Sequence, residues 1–112
     1  MLEVTFDPIT NRQDWVDQCE VRDEEDELVD LDDATIVFEV YDRDSATTVL
    51  SATTDNGQIT IDSDGIFSFN FPLDDVRGLF AKTYDVGCTI ELNGVTQQFF
   101  RGTVPVLDGV VQ

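Results

Sequence analysis

Acidic side chains are the most distinctive chemical groups in this sequence, and many of them lie in one short run. Residues 19–33 carry nine Asp or Glu side chains against one arginine, Arg22. A run of this kind can provide oxygen ligands for a hard cation, a docking patch for a basic partner, or a solvated turn. Which of the three applies depends on the elements that position the run.

Calcium is the cation that the acidic residues suit best, because it takes several carboxylate and carbonyl oxygens from one loop. The candidate ligands are Asp23, Asp26, Asp62 and Asp64. The first pair lies in a run without the glycine of a sharp loop. The second pair belongs to a DSDG segment that fails the EF-hand pattern at both ends, where Thr60 and Phe71 stand. Solvated turns are therefore favoured over calcium sites, and no cofactor is expected.

Catalytic groups are poorly represented. The chain has no histidine, so the common triads and histidine-based metal sites are absent. Paired carboxylates act in acid–base catalysis only when a shaped pocket raises one pKa, which exposed turns do not do. Cys19 and Cys88 are expected to be small core residues, and a disulfide between them stays open. The sequence predicts that the protein is not an enzyme.

The composition indicates one folded, acidic domain. The chain has 112 residues, of which 41% are apolar and eight are phenylalanine, and its formal net charge is -18. With six Lys and Arg residues, contacts to nucleic acid or anionic membranes are disfavoured, whereas a basic protein partner is favoured. No basic leader followed by an apolar run and no long apolar stretch is visible, so we expect folding in the cytoplasm.

Period-two alternation of apolar residues recurs along the chain and predicts β-strands. The predicted strands are 3–7, 15–21, 35–42, 49–53, 58–62, 66–71, 84–92 and 95–101. Asn56-Gly57 and Asn93-Gly94 predict hairpin turns, because their residues accept positive φ. Residues 72–79 are the one helix candidate, with Pro72 at the start and Gly78 near the end.

This pattern predicts an all-β, immunoglobulin-like antiparallel sandwich of about seven to eight short strands with one short helical crossover. The predicted core stripes are Trp15/Cys19/Val21, Ile36/Phe38/Val40, Phe67/Phe69/Phe71 and Tyr84/Val86/Cys88/Ile90. Residues 1–103 are predicted to form a single sandwich domain. Residues 104–112 form a C-terminal tail that is either the last strand or an arm reaching a neighbouring subunit. The segment LFAKTY, ending at Tyr84, resembles the tyrosine corner of Greek-key sandwiches.

The order of these landmarks resembles a known family. Residues 16–41 combine a strand, an acidic turn at 23–27, a short VDL segment at 29–31 and an alternating strand. They resemble the opening of small β-sandwich modules of tailed-phage virions, notably the N-terminal domain of baseplate upper proteins. Residues 64–99 are similar to the second half of that module. The resemblance implies a non-catalytic virion component in the tail, baseplate or adaptor region, made in the host cytoplasm.

The resemblance also implies the partners, which are other virion proteins and copies of the chain in a symmetric homo-oligomer. Two sets of residues are candidates for these contacts. The acidic set is Glu24, Glu25, Asp26 and Glu27; the apolar set is Val104, Pro105, Val106 and Leu107. Three other functions are weighed against this one: a capsid decoration protein, a carbohydrate- or receptor-binding module using Trp15, Tyr41 or Tyr84, and an acidic DNA-mimic inhibitor.

Overall fold

Nine β-strands and one helical turn make up residues 2–109, the part of the chain that the computed structural model describes, with side chains from residue 5 onward. In chain order the elements are β1 (Leu2–Thr5), β2 (Ile9–Thr10), β3 (Trp15–Glu20), β4 (Thr35–Asp42), β5 (Thr47–Thr53), β6 (Ile59–Ser63), β7 (Ile66–Phe71), α1 (Leu73–Val76), β8 (Lys82–Leu92) and β9 (Val95–Leu107). Residues 2–109 contain no helix with the length and hydrophobicity of a transmembrane segment.

The strands form two packed sheets. The large sheet has the order β1-β9-β8-β4-β5, with β2 also paired to β9, and the small sheet has the order β3-β7-β6. This is the strand order of a variable-type immunoglobulin sandwich, in which β5 extends the sheet of β4, β8 and β9. The predicted all-β, immunoglobulin-like sandwich is confirmed. Pairing is not wholly antiparallel, however, because β1 and β2 both run parallel to β9.

Aromatic rings from both sheets fill the centre of the sandwich. Phe38 of β4 stacks on Phe69 of β7 with ring centroids 4.4 Å apart, and Trp15 meets Phe69 edge-to-face at 5.2 Å. All three side chains are at most 2% exposed. Each such ring buries enough apolar surface to contribute about 1.5–3 kcal/mol to folding. Alternation in β4 and β7 therefore predicted the core faces correctly.

Proline explains why the first edge strand is split into β1 and β2. The carbonyls of Thr103 and Leu107 accept hydrogen bonds from the backbone N–H groups of Phe6 and Asn11. Pro105 lies between them in β9 and has the same strand parity, so its missing N–H faces residues 6–8, where the edge strand is interrupted. A strand interior tolerates proline where no ladder hydrogen bond is required of it.

Residues 104–107 of the C-terminal tail belong to the last strand of the chain's own sheet. β9 continues to Leu107, and Val104 and Val106 are buried in the core. Pro105 is half-buried and Leu107 is 51% exposed. The arm alternative is therefore not the arrangement of residues 104–109, because their apolar side chains are largely covered within the molecule. Residues 110–112 of the predicted tail lie outside the described residues.

The turns differ in how well their sequences predicted them. Asn93-Gly94 forms the β8–β9 hairpin, with φ of 54° and 81°. The turn at 54–57 is not a hairpin, because β5 belongs to the large sheet and β6 to the small one. A turn sequence favours reversal of the chain but does not determine whether the flanking strands pair. The short helical crossover predicted within 72–79 is confirmed as the single turn α1.

Candidate functional site

The acidic run forms a small closed loop after β3. We call residues 22–33 the acidic loop. Arg22 and Leu28 form an antiparallel bridge, and the N–H of Asp23 donates to the carbonyl of Glu27 over 2.9 Å. Asp26 takes a φ of 64°, which aspartate tolerates better than most residues. The turn predicted at residues 23–27 is confirmed.

Hydrogen bonds made by two exposed side chains, Asp23 and Arg22, fix the backbone of the acidic loop. The carboxylate of Asp23 accepts hydrogen bonds from the N–H groups of Glu25 and Glu27, over 2.9 and 3.0 Å. The guanidinium of Arg22 pairs with the carboxylate of Glu20 and donates to the carbonyl of Asp26 over 2.8 Å. The backbone of the loop therefore has a defined course, although its acidic side chains face water.

The loop is fixed to the sandwich through the β6–β7 turn. The N–H of Val21 donates to the carbonyl of Gly65 over 2.6 Å, and that of Val29 donates to the carbonyl of Val21 over 3.1 Å. Gly65 has a φ of 71°, and a Cβ atom placed there would lie 2.7 Å from the Leu28 side chain. Leu31, at 1% exposed, completes the anchor in the core.

Most carboxylates of the acidic loop are not neutralised by the protein. Within the described part of the chain, Glu24, Glu25 and Glu27 are exposed, and their side chains make no hydrogen bond or ion pair. Elsewhere three cations are paired with acids: Arg43 with Asp85 at 2.9 Å, Arg77 with Asp74, and Lys82 with Asp42 and Asp44. The negative potential of the molecule is therefore expected to be strong over this loop, where Arg22 is the one cation among eight carboxylates.

The β8–β9 hairpin extends beyond the small sheet at the same end of the molecule. Phe67 of β7 packs against Phe99 of β9, with ring centroids 6.4 Å apart, and Phe100 pairs with Cys88 of β8. Beyond this level β7 adds only Ile66, whereas β8 continues for four residues to Leu92. At about 3.3 Å per residue, the hairpin overhangs the small sheet by about 10 Å.

The overhang leaves an apolar groove between the hairpin and the acidic loop. The groove has a volume of about 580 Å³, and its rim carries Asp23 and Glu24 together with Arg22, which is paired with Glu20. Val95 is 58% exposed. The apolar side chains that line the groove include Val29, Leu31, Ile90, Leu92, Val95 and Phe99. An apolar floor next to an acidic rim suits a ligand that carries both apolar and cationic groups.

An unpaired strand edge borders the groove. β9 pairs with β1 from Phe100 onward, and no strand among residues 2–109 pairs with the other side of residues 95–99. Because Leu92–Val95 closes a two-residue turn and Ile90 pairs with Gln97, the antiparallel ladder directs the backbone groups of Thr96 and Gln98 toward that free edge. Unpaired N–H and C=O groups of this kind can accept an added strand.

The structure does not bring the calcium candidates together as a site. Among the side chains of residues 5–109, no three Asp, Glu or Cys form a group that could hold a metal ion. The Asp23 carboxylate is engaged with backbone N–H groups, and the Asp62 carboxylate accepts a hydrogen bond from Gln18 over 3.1 Å. Asp64 is exposed at the tip of the β6–β7 hairpin, as predicted for a turn residue.

The cysteines are free thiols inside the sandwich. Cys88 is fully buried and Cys19 is half-buried, on strands β8 and β3 of the two sheets. Burial raises the pKa of the Cys19 thiol to about 12, and it also raises the pKa of Cys88. Thiolate, the reactive form, is therefore scarce at neutral pH. This arrangement fits the prediction that both residues are core components.

The opposite end of the sandwich is closed by a polar network that the sequence did not reveal. Asn11, 6% exposed, donates to the carbonyl of Leu79 over 3.0 Å and to the carboxylate of Asp108 over 3.3 Å. It also accepts a hydrogen bond from the N–H of Gly109 over 2.9 Å. The Tyr84 hydroxyl exchanges hydrogen bonds with the backbone of Phe80, which confirms the tyrosine corner.

Sequence reasoning found the acidic half of the site but missed the groove and the strand edge. Ile90 was assigned to the core stripe of its strand, and Val95 was only a residue after the turn. The sequence did contain one signal. The apolar alternation of β8 continues past Cys88 to Ile90 and Leu92 before the Asn93-Gly94 turn, so the strand is longer than the core requires. No protein-family model matches this chain, and no curated protein matches its sequence.

Proposed function

We propose that this chain is a non-catalytic assembly protein that binds another protein through its acidic end, as a structural component of a tailed-phage, prophage or gene-transfer particle. The position we propose is the tail, baseplate or adaptor region. The partners are other virion proteins, and several copies are arranged by the symmetry of the particle. The virion context rests on the resemblance of residues 16–41 and 64–99 to baseplate modules.

One observation carries the binding role: unpaired carboxylates, an apolar groove and a free strand edge occur together at one end of the sandwich. The fold makes no ion pair with the carboxylates of Glu24, Glu25 and Glu27 among the described residues. Val95, in the neighbouring hairpin, is 58% exposed. Neither feature stabilises an isolated domain, and exposed apolar surface next to a polar rim is typical of interaction sites.

The negative charge of the acidic end indicates whether it binds a second copy of the chain or a different protein. A two-fold symmetric contact places the same patch against itself, so two acidic loops would face each other. Like charges brought together in this way cost several kcal/mol. We therefore assign the acidic end to a different, basic protein, and the copies of the chain are brought together by that partner.

Carbohydrate binding is the alternative that the geometry supports less. Sugar-binding sites use exposed aromatic rings beside polar groups, yet Trp15 and Tyr84 are each 2% exposed. Tyr41 remains, at 38% exposed, on the outer face of the large sheet. A single partly exposed ring offers little surface on which a sugar can stack. We therefore do not propose a receptor-binding module at a fibre tip.

Purified particles test the proposal directly. We expect the chain to co-purify with particles through a density gradient at a fixed copy number, and a labelled copy to appear at the tail or baseplate in electron micrographs. Label on the capsid faces would instead establish the decoration role. Particles that contain none of the chain, with the chain found free in the lysate, would overturn the virion proposal.

A further inference from the structure

The acidic end offers three features to one ligand, and together they define its chemistry. The groove supplies an apolar floor, the acidic loop supplies the rim, and residues 95–99 of β9 supply an unpaired strand edge. Alternate residues of an added strand point to opposite faces of the sheet, so every second side chain of such a strand would enter the groove.

We propose that the unpaired edge of β9 at residues 95–99 binds an extended, basic segment of a partner protein by strand addition, with alternate apolar side chains in the groove and Lys or Arg side chains against the acidic loop. The inference deepens the proposed function, because it names the partner segment of the same end. It commits to a chain segment with apolar residues at every second position and cations between them.

The composition of the free edge supports strand addition. Exposed edges are usually protected by charged side chains or proline, yet residues 95–99 read VTQQF in a chain of net charge -18. An edge without charged side chains or proline is not sufficient by itself, since β5 is a second such edge of the large sheet. The groove and the acidic rim border β9, and they distinguish its edge from that of β5.

A β-bulge marks the end of this edge, and the polar groups around it are satisfied within the molecule. A register shift between Cys88 and Thr89 marks a β-bulge at Phe99, which lets Phe99 and Phe100 both pack inward. The Gln98 amide donates to the carbonyls of Cys88 and Phe100 over 3.3 and 2.8 Å. The bulge is thus satisfied within the molecule, and the backbone groups of Thr96 stay directed outward.

Electrostatics selects a basic segment over an acidic or neutral one. Asp23 and Glu24 border the groove itself, and Glu25 and Glu27 lie in the same turn. Each exposed ion pair contributes modestly, but the summed field speeds association and rejects acidic segments. The affinity is therefore expected to fall as salt rises.

The test uses the full chain and a synthetic peptide, acetyl-KVKVRV-amide, as the probe. We expect amide resonances of residues 21–31 and 95–99 to shift on titration, and hydrogen exchange of the Thr96 and Gln98 amides to slow at least about tenfold. Amides along the edge of β5 serve as the internal control and should keep their exchange rates. Shifts confined to β5 or to the outer face of the large sheet would overturn the proposal.

Variants separate the role of the rim from that of overall charge. Glu24→Gln, Glu25→Gln and Glu27→Gln combined should weaken peptide binding at least about tenfold. The matched control is Asp7→Asn, Asp17→Asn and Glu39→Gln, which changes the net charge equally at exposed positions away from the groove and should cost less than about twofold. Equal losses in the two triple variants would overturn the rim as the recognition element.

Two further experiments test the apolar floor of the groove and the identity of its ligand. Val95→Ser should weaken peptide binding several-fold with unchanged circular dichroism, because Val95 is already exposed in the free protein. The charge-reversed peptide acetyl-EVEVEV-amide should not bind. Self-association of the chain that Val95→Ser abolishes would instead assign the groove to a second copy. The peptide test uses no particles, so its outcome is independent of the virion proposal. The chain could be present in virions without binding the peptide, or bind the peptide without being present in virions.

Discussion

The two ends of this sandwich are built on opposite principles. At one end, Asn11 and the Tyr84 hydroxyl satisfy backbone groups of neighbouring segments and close the molecule. We call this the clamped end. At the other, open end, the acidic loop and the β8–β9 overhang leave apolar side chains and unneutralised carboxylates facing water.

The difference shows how a small domain separates stability from binding. Buried hydrogen bonds at the clamped end are costly to remove because their partners stay buried. Exposed carboxylates at the open end contribute little to folding, and they are free to be used by a partner. The comparison predicts that equivalent substitutions at the two ends will affect different properties.

Removal of the Asn11 side chain should give the largest effect. Asn11→Ala leaves the carbonyl of Leu79 and the N–H of Gly109 without their partner, so we expect the free energy of unfolding to fall by about 2–4 kcal/mol. Glu25→Ala at the open end should change it by less than about 0.5 kcal/mol. Urea denaturation measures both. Similar losses for the two variants would contradict the division between the ends.

Gly65 tests how firmly the acidic loop is attached. Gly65→Ala places a methyl group against Leu28 and the carbonyl of Val21 at a φ of 71°, and should destabilise by about 2–3 kcal/mol. Gly57→Ala is the control, with a φ of 83° and no atom near the added carbon, and should cost about 1 kcal/mol. If the two variants lost the same unfolding free energy, the acidic loop would be able to move away from residue 65 without a loss of stability.

The tyrosine corner should contribute less than the Asn11 network. Tyr84→Phe keeps the ring in the core but removes the hydroxyl that donates to the carbonyl of Phe80 over 3.2 Å and accepts from its N–H over 3.0 Å. We expect a loss of about 1–1.5 kcal/mol in unfolding free energy. Tyr41→Phe, at an exposed ring on the outer face, should leave the urea midpoint unchanged.

The smallest effect is the pH dependence of an ion pair at the clamped end. Lys82 donates to Asp42 over 2.7 Å, and this hydrogen bond lowers the pKa of Asp42. A lowered carboxyl pKa stabilises the fold above its unfolded value near 3.9, and that stability is lost as pH falls through the folded pKa.

Replacement of the lysine should therefore change the acid limb of the stability curve. Lys82→Met is expected to raise, by a small amount, the pH at which the protein unfolds in acid, because the pKa of Asp42 returns toward its ordinary value. Arg77→Met is the control, since the Arg77–Asp74 pair is exposed and 4.0 Å long. Acid titration followed by circular dichroism measures both. An unchanged acid midpoint for Lys82→Met would show that the pair is not coupled to folding.

Local patterns predicted the elements better than their partners. Alternation located β4 and β7 at their true bounds, and Asn93-Gly94 located the hairpin, because both depend on neighbours in sequence. The turn at 54–57 was misassigned because its residues favour reversal whether the next strand joins the same sheet or the other one. The short helical crossover predicted at 72–79 is present as the single turn α1, because Pro72 favours the first turn of a helix.

The same limit applies to the candidate site. The acidic loop could be predicted, because charged residues between two strands must lie in a turn. The groove could not, because it depends on β8 extending past Ile66, the first residue of β7 in the other sheet. The buried role of Asn11 had no local signal either, since its partners are Leu79 and Asp108.

The sequence by itself determined that this chain is an acidic, all-β domain with a charged turn, because alternation, turn residues and net charge act through local and summed properties. Tertiary structure decided the rest. It placed residues 104–107 in the chain's own sheet, ran the first strand parallel to the last, and left the outer edge of residues 95–99 without a partner strand among residues 2–109. These outcomes depend on the relative lengths and registers of distant strands, which no segment of the sequence specifies alone.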